Sequence, residues 1–211
     1  MPIDDVWRDY ERRLEVFWFD TFENIPISPG VYAWFYPLRV NSLDMTRVLA
    51  EFRSVHLFDA RGAGKPRVSG SGRLGWNHVN WSLELDNPSL SVSKALEDSW
   101  EKIVSDPDSV EFEYLRTALL AASLLTSPLY IGKAQNLRRR CATHLHGGSD
   151  FARRFEKHAE ELGLHSKRVQ DLVLVTVRTN LPRNETSIQT FEEDLIETIL
   201  NAVARPPYGV I

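Results

Sequence analysis

Basic and hydroxyl-bearing side chains crowd one stretch of this chain. Between residues 128 and 168 stand Lys133, Arg138, Arg139, Arg140, Arg153, Arg154, Lys157, Lys167 and Arg168, against four acidic residues. The whole chain carries a net charge of -4, so the positive potential is concentrated rather than spread. A local basic face on an acidic protein is how a phosphate-binding surface is usually built, although a solvated helical face gives a similar count. Within the stretch, Arg140 offers a planar fork that two phosphate oxygens can share. His144 follows one helical turn later and projects from the same face. Tyr130 carries a phenol with an ordinary pKa of about 10, so it acts as a base at neutral pH only beside a cation. Lys133, three residues further on, is placed to be that cation.

The elements that must position these groups alternate between strand and helix patterns without a strict β-α repeat. From Asp4, apolar Val6, Tyr10, Leu14 and Phe17 recur at helical spacing, which predicts an N-terminal helix within residues 1–28 that packs on the core. Val31 to Tyr36 is β-branched and aromatic, and reads as a strand. Asp44 to Val55 reads as a short helix, Asp59 to Gly75 as a Gly/Ser-rich loop, and Val79 to Leu85 as a strand. Helices are expected over 91–104 and 109–125. A short strand then ends at Tyr130-Ile131-Gly132, followed by a helix from Asn136. A further helix from Phe151 stops at Gly163, Leu172 to Arg178 is a strand, Phe191 to Val203 a helix, and the rest a tail. The pattern predicts an α+β fold, a small central sheet covered by helices, with strands from Tyr32, Tyr130 and Leu172–Arg178. A core of 29–38 and 128–211 is thus interrupted by an insertion at 39–127. A hydrophobic fraction of 43% and charged fraction of 26% are ordinary for a soluble domain. No run of about 18 apolar residues offers a membrane span. The start lacks signal-peptide features, and the one cysteine, Cys141, excludes an internal disulfide; both point to the cytoplasm.

Six features together resemble the GIY-YIG nucleases. Pro29-Gly30-Val31-Tyr32 is similar to the first motif, and Leu129-Tyr130-Ile131-Gly132-Lys133-Ala134-Gln135-Asn136-Leu137 to the second. Arg140, ten residues after Tyr130, falls at the family's catalytic arginine, and His144 where the family has Tyr or His. Glu197 falls where the family places its metal-binding carboxylate, with Glu193 on the same helical face as second choice. Arg205-Pro206-Pro207-Tyr208-Gly209 resembles the closing motif, with Gly209 in place of the usual Asn; Asn201 or the insertion is a candidate to replace that amide. The resemblance implies a GIY-YIG nuclease-like core and an endonuclease that hydrolyses phosphodiester bonds in DNA, duplex rather than RNA. It implies Mg²⁺, with Mn²⁺ able to substitute. Tyr32 or Tyr130 would activate water, Arg140 and Lys133 stabilise charge, His144 relay the proton and Glu197 hold the metal. A single carboxylate suits Mg²⁺, which keeps most of its waters. Arg138, Arg139, Arg153, Arg154 and Lys157, with Arg61, Lys65, Arg67 and Arg73 of the insertion, are the expected nucleic-acid contacts.

The family's two tyrosine motifs usually lie close together, whereas about a hundred residues separate them here. The insertion is therefore expected to select substrate, and a stand-alone chain of this kind looks like the restriction-endonuclease branch, with a homodimer to cut both strands of a symmetric site. Arg73, Trp76, Asn77, His78 and Trp81 could stack on or read bases, or simply pack. Gly62-Ala63-Gly64-Lys65 lacks the leading Gly and following Ser or Thr of a phosphate loop. Cys141, His144 and His146 lack the fourth ligand of a structural zinc site. Two other classes remain open: a nucleic-acid-binding protein of the same fold without catalysis, and a partner-docking protein.

Overall fold

The computed structural model describes residues 13–57, 67–74, 77–84, 92–179, 186–204 and 206–209. The chain is α+β, with two antiparallel sheets and six helices among the described residues. The main sheet has four strands in the order β1-β6-β2-β5: β1 Leu14–Trp18, β2 Gly30–Phe35, β5 Tyr130–Ala134 and β6 Val173–Arg178. The second is a hairpin of β3 Arg67–Leu74 and β4 Asn77–Glu84. The helices are α1 Met45–Leu57, α2 Lys94–Val104, α3 Val110–Ala122, α4 Leu137–Leu145, α5 Asp150–Glu161 and α6 Thr186–Ala204.

β2 lies inside the sheet, pairing with β5 in the register Tyr32↔Gly132 and Trp34↔Tyr130, and with β6 through Tyr32↔Thr176. The insertion leaves after β2 and returns into β5 at the same end of the sheet, where Leu129 N–H donates to Trp34 O at 2.7 Å. Closure of a loop costs only slowly more as the loop lengthens, so antiparallel pairing survives an insertion of this size. Alternation of the strands sends Tyr32, Trp34 and Tyr130 to one face, where they pack with Leu137, Cys141, Phe151 and Phe155 of α4 and α5. Buried Val31 and Ile131 are on the other face, and α6 packs against β5 and β2.

The insertion has its own small core, Val48, Trp100 and Val104 with Met45, Phe112 and Leu119 packed against it. Among the described residues, three polar ties bind it to the main body. Leu38 N–H donates to Ser123 Oγ at 2.7 Å, and Arg39 donates to Asp171 O at 2.7 Å. Glu51 of α1 accepts from the Tyr36 hydroxyl, from Asn41 Nδ2 at 2.8 Å and from His165 N–H at 3.0 Å.

Two local expectations are corrected. The helix expected to run through Leu14 and Phe17 is a strand there, followed by a 3-10 turn at Phe19–Asn24. Pairing of β1 with β6 decides it: Phe17 is buried and Val16 is 46% exposed, so the side chains alternate at period two. Val6 and Tyr10 lie outside the described residues. The loop expected over Asp59–Gly75 contains β3, because a neighbouring strand satisfies its backbone despite Ser and Gly, residues of poor strand preference. Arg67 and Arg73 stand on β3 opposite Glu84 and His78. Arg61, Lys65 and Trp76 lie outside the described residues.

Candidate active site

The segment before β2 and the start of α4 are joined first. Two residues separate β5 from α4, the second being the cap Asn136: its side chain accepts from Arg139 N–H at 2.9 Å. Leu137 N–H donates to Ser28 O at 2.9 Å, and Arg138 N–H to Pro26 O at 3.2 Å. The free donors of the helix end are therefore used by the protein itself, and any phosphate nearby must be met by side chains.

This junction fixes the roll of α4, which brings Arg140 and His144 over Tyr32. The Tyr32 hydroxyl is 2.7 Å from His144 Nε2 and accepts from Arg140 Nε at 3.2 Å. His144 Nδ1 is 2.6 Å from Ser149 Oγ, which also accepts from Ala152 N–H at 3.1 Å as the cap of α5. The chain Arg140–Tyr32–His144–Ser149 thus links β2, α4 and the cap of α5. Tyr130 stacks on Phe151 with ring centroids 4.7 Å apart, and its own ring is 6.1 Å from that of Tyr32.

Electrostatics follows burial. Burial, then the Tyr130 phenol, raise the Tyr32 pKa well above the ordinary tyrosine range, although the Arg140 bond opposes this. Burial, then the Arg140 charge, push His144 down to about 4, so its ring is neutral at pH 7. Partial burial acts against the Arg140 charge, but bonding to the Tyr32 and Tyr130 hydroxyls outweighs it and holds the pKa above its usual value. Burial pushes the Cys141 thiol up to about 12, which makes it inert as a nucleophile.

The glycines of both tyrosine motifs have a steric reason. A Cβ on Gly132 would stand 2.6 Å from the Tyr32 hydroxyl oxygen and 2.7 Å from its Cζ, since the Tyr32 ring lies across that residue. A Cβ on Gly30 would meet Val177 O at 2.4 Å.

Lys133 does not help Tyr130. Three residues along a helix would bring the two together, but along a strand they leave on opposite faces. Among the described residues its ammonium bonds instead to Asp194 and, at 3.4 Å, to Glu197 Oε2, both on α6. The hydrogen bonds it donates to those carboxylates, to Asp194 foremost, raise its pKa. Glu193 turns elsewhere: it is buried and accepts from Thr179 Oγ1 at 2.7 Å. Around the exposed edge of β5, Lys133, Gln135, Asn136, Arg139, Arg140 and Thr143 line an open basin of about 310 Å³. Arg140, which bonds to Tyr32, and Lys133, which bonds to the α6 carboxylates, both line it.

No family model, curated protein or solved structure matches this chain.

The other basic residues divide by what holds them. Arg138 donates to Ile25 O and Arg154 to Tyr208 O, each at 2.7 Å. Arg153 pairs with Asp150, and Lys157 with Glu161 at 3.8 Å, on the exposed face of α5. Of the five expected contacts near α4 and α5, only Arg139 lines the basin. Asp194 and Ser149 were not singled out from sequence. A Ser-Asp pair opening a helix signals a cap, but nothing local says that the same hydroxyl also faces His144.

The closing segment is an anchor rather than a loose tail. Tyr208 is buried, its N–H donates to Leu129 O at 3.0 Å, and its ring packs on Phe151 and Phe155. A Cβ at Gly209 would stand 2.9 Å from Pro206 Cγ and 3.2 Å from Asn201 Oδ1. Pro206 and the Asn201 amide therefore already fill the room an Asn at 209 would need. Asn201 Nδ2 donates to Glu197 O at 2.9 Å.

A divalent cation fits the α6 carboxylates on one observation: the Lys133 ammonium already stands between Asp194 and Glu197 as a cation. Among the described residues no three His, Cys, Asp or Glu side chains gather. A cation here would rest on one or two carboxylates and water, which suits Mg²⁺ or Mn²⁺. His146 Nδ1 lies 2.7 Å from Ala142 O, so Cys141, His144 and His146 do not converge.

Proposed function

We propose that this chain is a metal-dependent endonuclease of the GIY-YIG type that hydrolyses phosphodiester bonds in DNA. One observation carries the reading: the buried Tyr32 hydroxyl sits between His144 Nε2 at 2.7 Å and Arg140 Nε at 3.2 Å, and Arg140 lines a basic basin. The resemblance of the motif residues, and the gathering of Tyr32, Tyr130, Arg140 and His144 into one cluster, support the reading.

Phosphodiester hydrolysis needs an activated water, charge stabilisation at the phosphate and a way to release the leaving oxygen. In the tautomer with its hydrogen on Nδ1, His144 donates to Ser149 Oγ and accepts at Nε2 from Tyr32. Tyr32 then takes a proton from the attacking water as it passes its own to His144, and the imidazolium keeps it until turnover. Arg140 forks toward the phosphate oxygens while its Nε stays on Tyr32. When phosphate neutralises Arg140, the charge that depresses His144 is offset, and His144 becomes a better acceptor at the moment it is needed. Glu197, with Asp194 beside it, would hold the cation. Bound Mg²⁺ or Mn²⁺ supplies charge stabilisation at the phosphoryl and leaving oxygens.

The test is cleavage of supercoiled plasmid, phage genomic DNA, branched DNA and RNA, each with Mg²⁺, Mn²⁺ or EDTA, by wild type and Glu197→Ala. Discrete products that need metal and vanish in the variant are expected. No cleavage of any substrate, with salt-sensitive DNA binding intact, replaces the enzyme by a binding protein of the same fold.

A further inference from the structure

We propose that Lys133 is a resident counter-ion of the α6 carboxylates, and that a divalent cation acts by displacing its ammonium into the basin. The proposal rests on the reading of Glu197 as the cation ligand.

Asp194 and Glu197 are one turn apart on α6, so their carboxylates leave the same face. The Lys133 ammonium reaches both, and at 3.4 Å from Glu197 Oε2 it takes the position that a bound cation would otherwise hold. Asp194 is the closer partner, which makes it the group that retains Lys133. The side chains of Lys133 and Asp194 are 40% and 55% exposed, so the pair is hydrated and only weakly held. A dication competes with it on favourable terms.

Lys133 also lines the basin with Arg139 and Arg140. Its four-carbon stem gives the ammonium two stations, one on α6 and one among the phosphate-facing groups. Cation binding therefore does two things at once: it charges the Glu197 site and releases a third positive group toward the phosphate. The coupling is reciprocal, so phosphate held in the basin draws the ammonium off Glu197 and tightens cation binding. Lys133 is then a positioning and coupling residue whose removal has opposite effects on metal binding and on turnover.

The experiment is titration of Mn²⁺ into the full chain without nucleic acid, with unbound Mn²⁺ read by electron paramagnetic resonance. Lys133→Met keeps the stem and removes the charge; Lys133→Gln is the second variant should the first fail to fold. Removing one charge and one competitor is expected to lower the Kd for Mn²⁺ by about tenfold. Adding Glu197→Gln to Lys133→Met is expected to abolish that binding, and cleavage by Lys133→Met to fall despite the tighter metal. Unchanged or weaker Mn²⁺ binding in both Lys133 variants, with Glu197→Gln still abolishing it in wild type, overturns the displacement and leaves the cation site standing. Binding indifferent to Glu197, or absent throughout, removes the cation site and the displacement with it.

Discussion

The Tyr32 hydroxyl and His144 Nε2 lie 2.7 Å apart although 112 residues of chain separate them. The bond is buried, and both partners are tied at their other side, Tyr32 to Arg140 and His144 to Ser149. A Tyr32 proton held there has one defined acceptor, His144 Nε2.

Tyr32→Phe removes that proton and leaves the ring in place. Cleavage is expected to fall by about 10²- to 10⁴-fold, the usual contribution of a positioned acid–base group. Tyr130→Phe is expected to cost less, because Tyr130 contacts His144 through its ring rather than its hydroxyl. Single-turnover rates of the two variants decide between them, and the reverse ranking would assign water activation to Tyr130.

Gly132→Ala places a Cβ 2.6 Å from the Tyr32 hydroxyl oxygen, a distance no real contact sustains. The Tyr32 ring must shift, and its bonds to His144 and Arg140 with it. Overpacking of this kind costs about 1–3 kcal/mol. Thermal unfolding reads that loss, and cleavage is expected to fall as far as in Tyr32→Phe. Full activity in Gly132→Ala would contradict the role given to the Tyr32 hydroxyl.

His144 makes stability depend on pH. Its folded pKa is lowered to about 4 from 6.5, so between those values the unfolded chain binds the proton and the folded chain does not. The contribution is complete above pH 6.5 and is lost as pH falls toward 4, a loss on the order of 2–3 kcal/mol. Urea denaturation of wild type and His144→Gln from pH 4.5 to 7.5 isolates it. The difference in slope is expected to lie wholly below pH 6.5, and parallel curves would show that the histidine is not neutral and buried.

Glu51 binds the insertion to the body through Tyr36 and the His165 amide, and accepts from Asn41 within the insertion. Glu51→Ala leaves the buried Tyr36 hydroxyl without its acceptor and is expected to destabilise by about 1–3 kcal/mol. Because the tyrosine cluster lies on β2, β5 and α4, away from Glu51, cleavage of a short oligonucleotide should change less than recognition of a long substrate. Equal losses on both would show that the insertion shapes the catalytic cluster directly.

Gly209→Asn restores the residue most usual in the resembling family, yet is expected to lower stability and activity. Pro206 Cγ lies 2.9 Å from the new Cβ and is part of a rigid ring, so the neighbour that must yield is Asn201, one turn from Glu197. Raised activity in this variant would mean that Asn201 does not fill the place of the missing amide.

Sequence by itself determined the local parts of this protein. Short β-branched and aromatic runs marked β2, β5 and β6, a helix starting at Asn136 with helical spacing put Arg140 and His144 on one face of α4, and Gly163 marked the end of α5. These follow from interactions within a few residues, which a local window contains. Only the tertiary structure decided the rest. Leu14 to Trp18 became a strand because β6 offered it a partner, against its helical spacing. Lys133 turned from Tyr130 to α6 because its neighbours form a strand, where three residues reverse the face. Glu193 and Glu197 share a helical face in sequence, but Thr179 takes the first and Lys133 the second. Arg138 and Arg154, identical in type to Arg139, bond to carbonyl oxygens because Ile25 and Tyr208 fold against them. Each of these choices depends on a partner tens of residues away, and local spacing carries no record of which distant group will arrive.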